Sequence, residues 1–205
     1  MNILISRLEE EFSKPLPGEE AQFRMSPSLR RRLVNNQPLK KSGVLILLYP
    51  HHDSVHTVFI RRAEYEGVHS GQVSFPGGMF EKGDHSLAHT ALREAMEETG
   101  MPAEAARIIG QLTPLHIPVS NINVFPYVAV SVERPDFSHD PSEVQYLIET
   151  SMDELLNASN RKVKSMHIAG NEVDVPYFDI QGNHIWGATA MILSEFLEIF
   201  RRALG

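Results

Sequence analysis

The 205-residue chain has no cysteine. Disulfide scaffolds, thiolate zinc sites, iron–sulfur clusters and cysteine nucleophiles are therefore excluded together. Long apolar runs are also missing. The longest, Val44 to Tyr49, falls far short of the ~20 residues that cross a bilayer, so no membrane partner is expected. Positive charge is in deficit: 19 Lys and Arg face 26 Asp and Glu, a net charge of −7 with histidines neutral. No general electrostatic grip on nucleic acid is expected from such a surface. An anionic ligand would need local help, from clustered arginines or a bound divalent cation. The stretch Met1 to Glu11 does not read as a secretory leader, because acids follow its short apolar segment at once. Arg202-Ala-Leu-Gly205 is neither a prenylation box nor a peroxisomal address. The expectation is a soluble, cytoplasmic protein. What remains is ordinary: 42% hydrophobic and 22% charged residues, a length that suits one core.

Ile3, Leu4, Leu8 and Phe12 recur at near-helical spacing, so residues 3–13 read as an amphipathic helix ended by Pro15 and Pro17-Gly18. Residues 14–42 show little periodicity but carry Arg24, Arg30, Arg31, Arg32, Lys40 and Lys41, a basic arm that is either a solvated connector or an aid to anion binding. Residues 1–39 are thus read as helix and arm packed on a main domain of residues 40–205. Within the latter, Gly43–Pro50 reads as a buried strand and Val55–Arg61 as its hairpin partner. The His51-His52 turn between them is read as exposed rather than metal-binding. A segment bearing Gly67, Gly71, Gly77, Gly78 and Gly83 leads to a helix over 86–99, closed by Gly100 and Pro102. Strands are expected near 108–112, 124–132, 144–149, 162–167 and 173–178, a short helix near 153–156 and a long one over 188–204. Mixed strands and helices with no repeat indicate an α/β class with a mixed sheet.

The chemistry lies in the helix over 86–99. A helical wheel places Ala88, Ala91, Leu92, Ala95, Met96 and Thr99 on one apolar side, with Glu94 and Glu98 stacked on the other and Glu97 and Arg93 on their flank. Crowded carboxylates repel one another, and they sit at the helix end where the macrodipole disfavours negative charge. Such a helix face is either a solvated acidic surface or a site for a hard divalent cation, Mg²⁺ or Mn²⁺, and the glycine pair before it favours the site. Arg93 would fix a carboxylate rotamer. Gly77-Gly78 would let backbone approach a metal or phosphate closely. Rival motifs fail: after Gly78 and Gly83, Asp84 stands where a phosphate loop needs lysine, and there is no G-x-G-x-x-G, H-E-x-x-H or G-x-S-x-G.

Gly78, Arg93, Glu94, Glu97, Glu98 and Gly100 resemble the Nudix box, G-x5-E-x7-R-E-U-x-E-E-x-G-U with U aliphatic. The half from Arg93 to Met101 fits at every fixed position. Asp84 stands at the first glutamate position, with eight rather than seven residues between it and Arg93; it reads as a turn or N-cap residue. That spacing, with Val58–Ala63 and His69-Ser-Gly-Gln-Val-Ser-Phe-Pro-Gly-Gly78, is similar to the coenzyme A pyrophosphatase branch of the Nudix hydrolases. Gly67 occupies a place where that branch often has arginine. The resemblance runs over roughly residues 40–195, through Pro126 and Ile185–Ala190.

The resemblance implies a Nudix-type α/β/α sandwich and metal-dependent hydrolysis of a nucleoside diphosphate derivative. For coenzyme A the products are 3′,5′-ADP and 4′-phosphopantetheine. Glu94, Glu98 and Gly78 would bind the metal; Glu97, Glu94 and Arg93 would serve catalysis, with Glu97 as ligand through water or as base and Glu143 as an alternative base. Arg61, Arg62, His69 and Gly77 would contact substrate, only one of the two arginines facing the site because strand residues alternate. His69 has an equal reading as a turn residue satisfied by backbone. Phe75, Pro76 and Trp186 are read as packing, Trp186 opening the last helix. The partner is then a small nucleotide; a homodimer is left open. Two alternatives stand: the same chemistry on ADP-ribose or a dinucleotide, and a Nudix-like binding module without catalysis.

Overall fold

The computed structural model describes residues 1–28, 39–64, 70–168 and 170–205. Its organising element is strand β1 (Lys40–His51), which holds the apolar run. Side chains alternate across a strand, so the run faces two ways. Leu45, Leu47 and Tyr49 join one hydrophobic cluster with Ala91 and Ala95, while Ile46 and Leu48 join a second, larger one with Phe196 and Leu197. A strand apolar on both faces must be covered on both. Helix α3 (Leu87–Thr99) covers one face, and α5 (Gly187–Leu204) the other, backed by α1 (Asn2–Phe12) and α2 (Gly18–Phe23). The α/β/α sandwich expected from the sequence is the fold observed.

The main sheet is mixed. β1 runs parallel to β7 (Ile122–Val130) from Lys40↔Ile122 to Leu48↔Val130. It turns through a hairpin into β2 (Ser54–Arg62), which pairs antiparallel with β3 (Val73–Ser74) and β8 (Val144–Ser151). β4 (Gly77–Met79) lies antiparallel on β1, and β5 (Arg107–Gln111) and β6 (Leu115–Ile117) lie antiparallel on β7. A second antiparallel sheet, β11-β10-β9, comprises β9 (Arg161–Ile168), β10 (Asn171–Ile180) and β11 (Asn183–Trp186). Its Phe178, Ile180 and Ile185 pack in the α5-side core. The short helix is α4 (Met152–Leu156).

Several elements depart from the sequence reading. Residues 14–42 contain α2, six residues that are marginal as an isolated helix. A tertiary contact holds it: the fully buried Glu195 of α5 accepts from the Gly18 amide at 3.2 Å, from Gln22 Nε2 at 2.8 Å and from Thr113 Oγ1 at 2.7 Å. The glycine-bearing segment contributes the short strands β3 and β4 rather than a loop alone. Trp186 is half-buried at the end of β11, where it serves as N-cap residue, and the last helix starts at Gly187.

Candidate active site

Helix α3 begins where its sequence allows a cap. Ser86, not Asp84, is the N-cap residue: its side chain accepts from the His89 amide at 3.1 Å. Gly100 ends the helix at φ 70, a left-handed conformation in which a side chain is strained. A Cβ there would also strike the Ser138 carbonyl.

The face that α3 buries is rotated from the one the wheel predicts. Thr90, Ala91, Ala95, Glu98 and Thr99 are buried, whereas Met96 is 37% exposed. Glu98 therefore does not stand on the polar side with Glu94; it projects with Ala91 and Ala95 towards the sheet and is 4% exposed. The reason is what the sheet offers. β1 and β4 meet with Val44 opposite Gly77, and the Gly77 amide donates to Glu98 Oε2 at 2.8 Å. Gly77 has φ 153, and a Cβ on it would overlap the Gly43 carbonyl and Val44. Arg62, at the end of β2, places Nη1 3.3 Å from Glu98 Oε1. Desolvation pushes the Glu98 carboxyl up to about 7, against the opposing pull of Arg62 and the Gly77 amide; Glu94 and Glu143 add to the rise.

Glu94 sits one turn back, half-buried, its carboxyl raised mainly by desolvation and lowered in part by Arg93. Gly78 lies directly against it, so a Cβ on Gly78 would occupy the space of the Glu94 carboxylate. Arg93 is held from three sides. Its Nε and Nη2 donate to the two Asp84 oxygens at 3.0 and 3.1 Å, Nη2 also reaches the Met79 carbonyl at 3.2 Å and Glu94 Oε1 at 2.9 Å, and Nη1 reaches Glu97 Oε2 at 3.0 Å. Asp84 is buried and further receives the Glu81 amide at 3.0 Å, Thr90 Oγ1 at 2.8 Å and His89 Nδ1 at 3.0 Å. Arg93 above all, with these other donors, holds the Asp84 carboxyl well below the usual carboxylate range. Asp84 closes a turn as expected, its amide donating to the Glu81 carbonyl at 3.0 Å, and it is in addition the anchor of Arg93, which an N-cap reading does not capture. Its side-chain partners at positions 89, 90 and 93 are the sequence signal that could have shown it, since all lie within about two helical turns.

Glu97 is exposed and paired with Arg93. Glu143 is exposed in the turn after Asp140; its carbonyl accepts from the Ala63 amide at 2.9 Å, which brings it to the strand end beside Arg62. Arg61 and Arg62 alternate as expected, and Arg62 is the one facing Glu98. His69, Gly67 and Arg30 to Arg32 lie outside the described residues. Of the rest of the basic arm, Arg24 is paired with Glu198 at 2.7 Å. Phe75 is buried against Phe59, their rings 4.7 Å apart, and Pro76 is buried beside it, as packing residues. The His51 and His52 rings lie 4.0 Å apart, tilted by 39°, in the β1–β2 turn. Among the described residues no three His, Asp or Glu side chains converge as a ready-made metal cage.

A glycine turn laid on a carboxylate-bearing helix, inside an α/β/α sandwich, defines a class of enzymes that act on phosphoanhydrides. A family model described as the NUDIX domain matches residues 39–166, and the chain belongs to this family, as a Nudix hydrolase of nucleoside diphosphate derivatives. Relatives described as an uncharacterized Nudix hydrolase, NudL, occur in Yersinia enterocolitica, 38% identical over 67% of this chain and 70% of the relative, and in Yersinia pestis, 37% identical over 67% and 69%. The crystal structure of a Nudix hydrolase from M. smegmatis, RenU, superposes with a TM-score of 0.52 at 14% identity, covering 78% of this chain and 86% of that one. A MutT/nudix family protein from Enterococcus faecalis gives 0.52 at 16% identity, covering 83% and 66%. At such identities these two structures speak to the fold alone.

Proposed function

We propose that the protein hydrolyses the pyrophosphate bond of coenzyme A or its derivatives, giving 3′,5′-ADP and 4′-phosphopantetheine. The observation that carries the chemistry is the pair Glu94 and Glu98, two desolvated carboxylates one helical turn apart that meet backbone at Gly77 and Gly78. An all-oxygen donor set fits a hard divalent cation, Mg²⁺ or Mn²⁺, which uses one or two carboxylates and fills its shell with water and substrate phosphates. Glu94, Glu98 and the Gly78 carbonyl would hold it; when bound, it neutralises phosphate charge and lowers the pKa of bound water.

The chain's own residues supply the rest. Arg93, anchored on Asp84, holds Glu94 in place with Nη2 2.9 Å from its Oε1. Arg62 brings positive charge to the place where an anion must enter a protein of net charge −7. Water forms a new P–O bond as the bridging P–O bond breaks, the bridging oxygen leaving on one phosphate and the water's proton passing to a carboxylate. Glu97, exposed beside Arg93, and Glu143, at the strand end, are the two candidate acceptors of that proton.

The choice of coenzyme A rests on the stretch from His69 to Gly78 and on the spacing from Asp84 to Arg93. A panel of coenzyme A, dephospho-coenzyme A, ADP-ribose and a dinucleotide, with Mg²⁺ or Mn²⁺ and products resolved by chromatography, tests it. Coenzyme A is expected to show the highest kcat/KM. Equal efficiency on ADP-ribose would move the protein to another substrate, and binding without turnover of any compound would make it a non-catalytic module.

A further inference from the structure

The alternation that turns Arg62 towards Glu98 turns Arg61 to the opposite face of the sheet. In register, Arg61 pairs with Tyr146 of β8 and with Val73 of β3. Residues directly opposite in an antiparallel ladder project from the same face, with Cβ atoms roughly 5 Å apart. Val73 lies in the α5-side core together with Phe59 and Ile148, which sets the face. Tyr146 is a large aromatic left 43% exposed, yet its ring is not free: the hydroxyl donates to Asn183 Oδ1 of β11 at 2.8 Å. The Arg61 guanidinium lies over Gly71, Nη2 being 3.7 Å from where a Cβ would stand. Its Nε is buried and, among the described residues, has no hydrogen-bond partner. Glu64 flanks the same glycine, Oε1 3.8 Å from that point, without forming an ion pair to Arg61 among the described residues.

A buried guanidinium N–H without an acceptor is unfavourable until an anion supplies one. A pinned, exposed ring beside it offers a flat face at little entropic cost, and base–aromatic stacking is tolerant of which base it meets. We propose that the face formed by Arg61 and Tyr146 receives the nucleotide half of the substrate, the base stacking on Tyr146 and a phosphate meeting Arg61. This rests on the reading of the site as a hydrolase of nucleoside diphosphate derivatives. Arg61 and Arg62 are consecutive, so a ligand that wraps the end of β2 reaches both: its scissile linkage lies at Arg62 and Glu98, its base across the sheet at Tyr146. A pantetheine arm, uncharged and lacking a ring, offers Arg61 only neutral amide and hydroxyl acceptors and gives Tyr146 nothing to stack.

Tyr146→Leu, Tyr146→Phe and Arg61→Gln test the assignment. Four quantities are read: KM and kcat for coenzyme A, inhibition by 3′,5′-ADP, and inhibition by inorganic pyrophosphate. Tyr146→Leu is expected to raise KM and weaken 3′,5′-ADP by about tenfold or more, with a smaller effect on kcat and on pyrophosphate. Tyr146→Phe keeps the ring and should retain binding; Arg61→Gln should weaken 3′,5′-ADP more than it weakens pyrophosphate. Unchanged 3′,5′-ADP inhibition in Tyr146→Leu and Arg61→Gln overturns the proposal. So does a Phe variant as impaired as the Leu variant with a lowered melting temperature, since the tie to Asn183 would then be structural. Titration of the wild-type chain with 3′,5′-ADP, followed on the Tyr146 ring by NMR, separates the two readings. A ring that does not shift in an active enzyme sinks this site alone, whereas a chain inactive on every pyrophosphate compound sinks the functional reading on which it rests.

Discussion

Replacing Glu98 by Gln should cost activity and yet stabilise the metal-free protein, by an amount that depends on pH. Glu98 is 4% exposed, and burial lifts its carboxyl from an ordinary 4.5 to about 7. An acid whose pKa rises on folding is penalised in its ionised form. Below pH 4.5 it is protonated in both states and costs nothing; between 4.5 and 7 the cost grows; above 7 it is fully present. A shift of this size corresponds to about 3 kcal/mol at 1.4 kcal/mol per unit. Glutamine mimics the protonated carboxyl and retains an acceptor for the Gly77 amide; the pull of Arg62 on the charge is already contained in the net shift. The gain is about 3 kcal/mol at pH 8.5 and close to none at pH 4.5. In a chain of this length that is roughly 6–12 °C in melting temperature. Thermal melts of both proteins in chelator at the two pH values measure it. A gain equal at both pH values, or a loss at pH 8.5, refutes the claim that desolvation of a buried carboxylate sets the energetics. Turnover with metal should fall by on the order of 10² or more if Glu98 is a ligand. A variant with near-native turnover refutes that assignment.

Chelator should abolish hydrolysis, and added Mg²⁺ or Mn²⁺ should restore it; full turnover in excess chelator, with no metal retained on the protein, would contradict the reading of Glu94 and Glu98. Asp84→Asn should destabilise the fold by about 3 kcal/mol, because Arg93 loses its buried anionic partner, while a salt-bridged carboxyl held below its ordinary 3.8 contributes stability that is present above that value and lost as pH falls through the folded one. The variant should therefore lack part of the acid-unfolding limb of the native protein; identical acid melts would argue against the anchor. Gly78→Ala drives a Cβ into the Glu94 carboxylate, so metal affinity measured by calorimetry should fall by more than tenfold while circular dichroism stays native; unchanged affinity would separate Gly78 from the site.

Much of this molecule can be read without coordinates. The apolar run of β1 implies coverage on both faces, Gly100 closes α3 as C-cap chemistry requires, and the run from Arg93 to Gly100 places three glutamates on one helix; all are local patterns of period, capping and spacing. Which way Glu98 points was not of that kind. On a wheel its charge groups it with Glu94, but Gly77 brings an amide to it from 21 residues earlier, and Arg62 comes from another strand. A carboxylate turns inward when partners await it, and those partners exist only once β1, β2 and β4 are assembled. The same holds for Asp84, whose burial depends on the turn closing over Arg93, and for α2, a six-residue helix held by Glu195 from the far end of the chain. Sequence by itself determined most of the elements and which chemical groups gather on α3, because those depend on neighbours along the chain. Tertiary structure alone decided which charged groups are desolvated and paired, because that depends on neighbours across it.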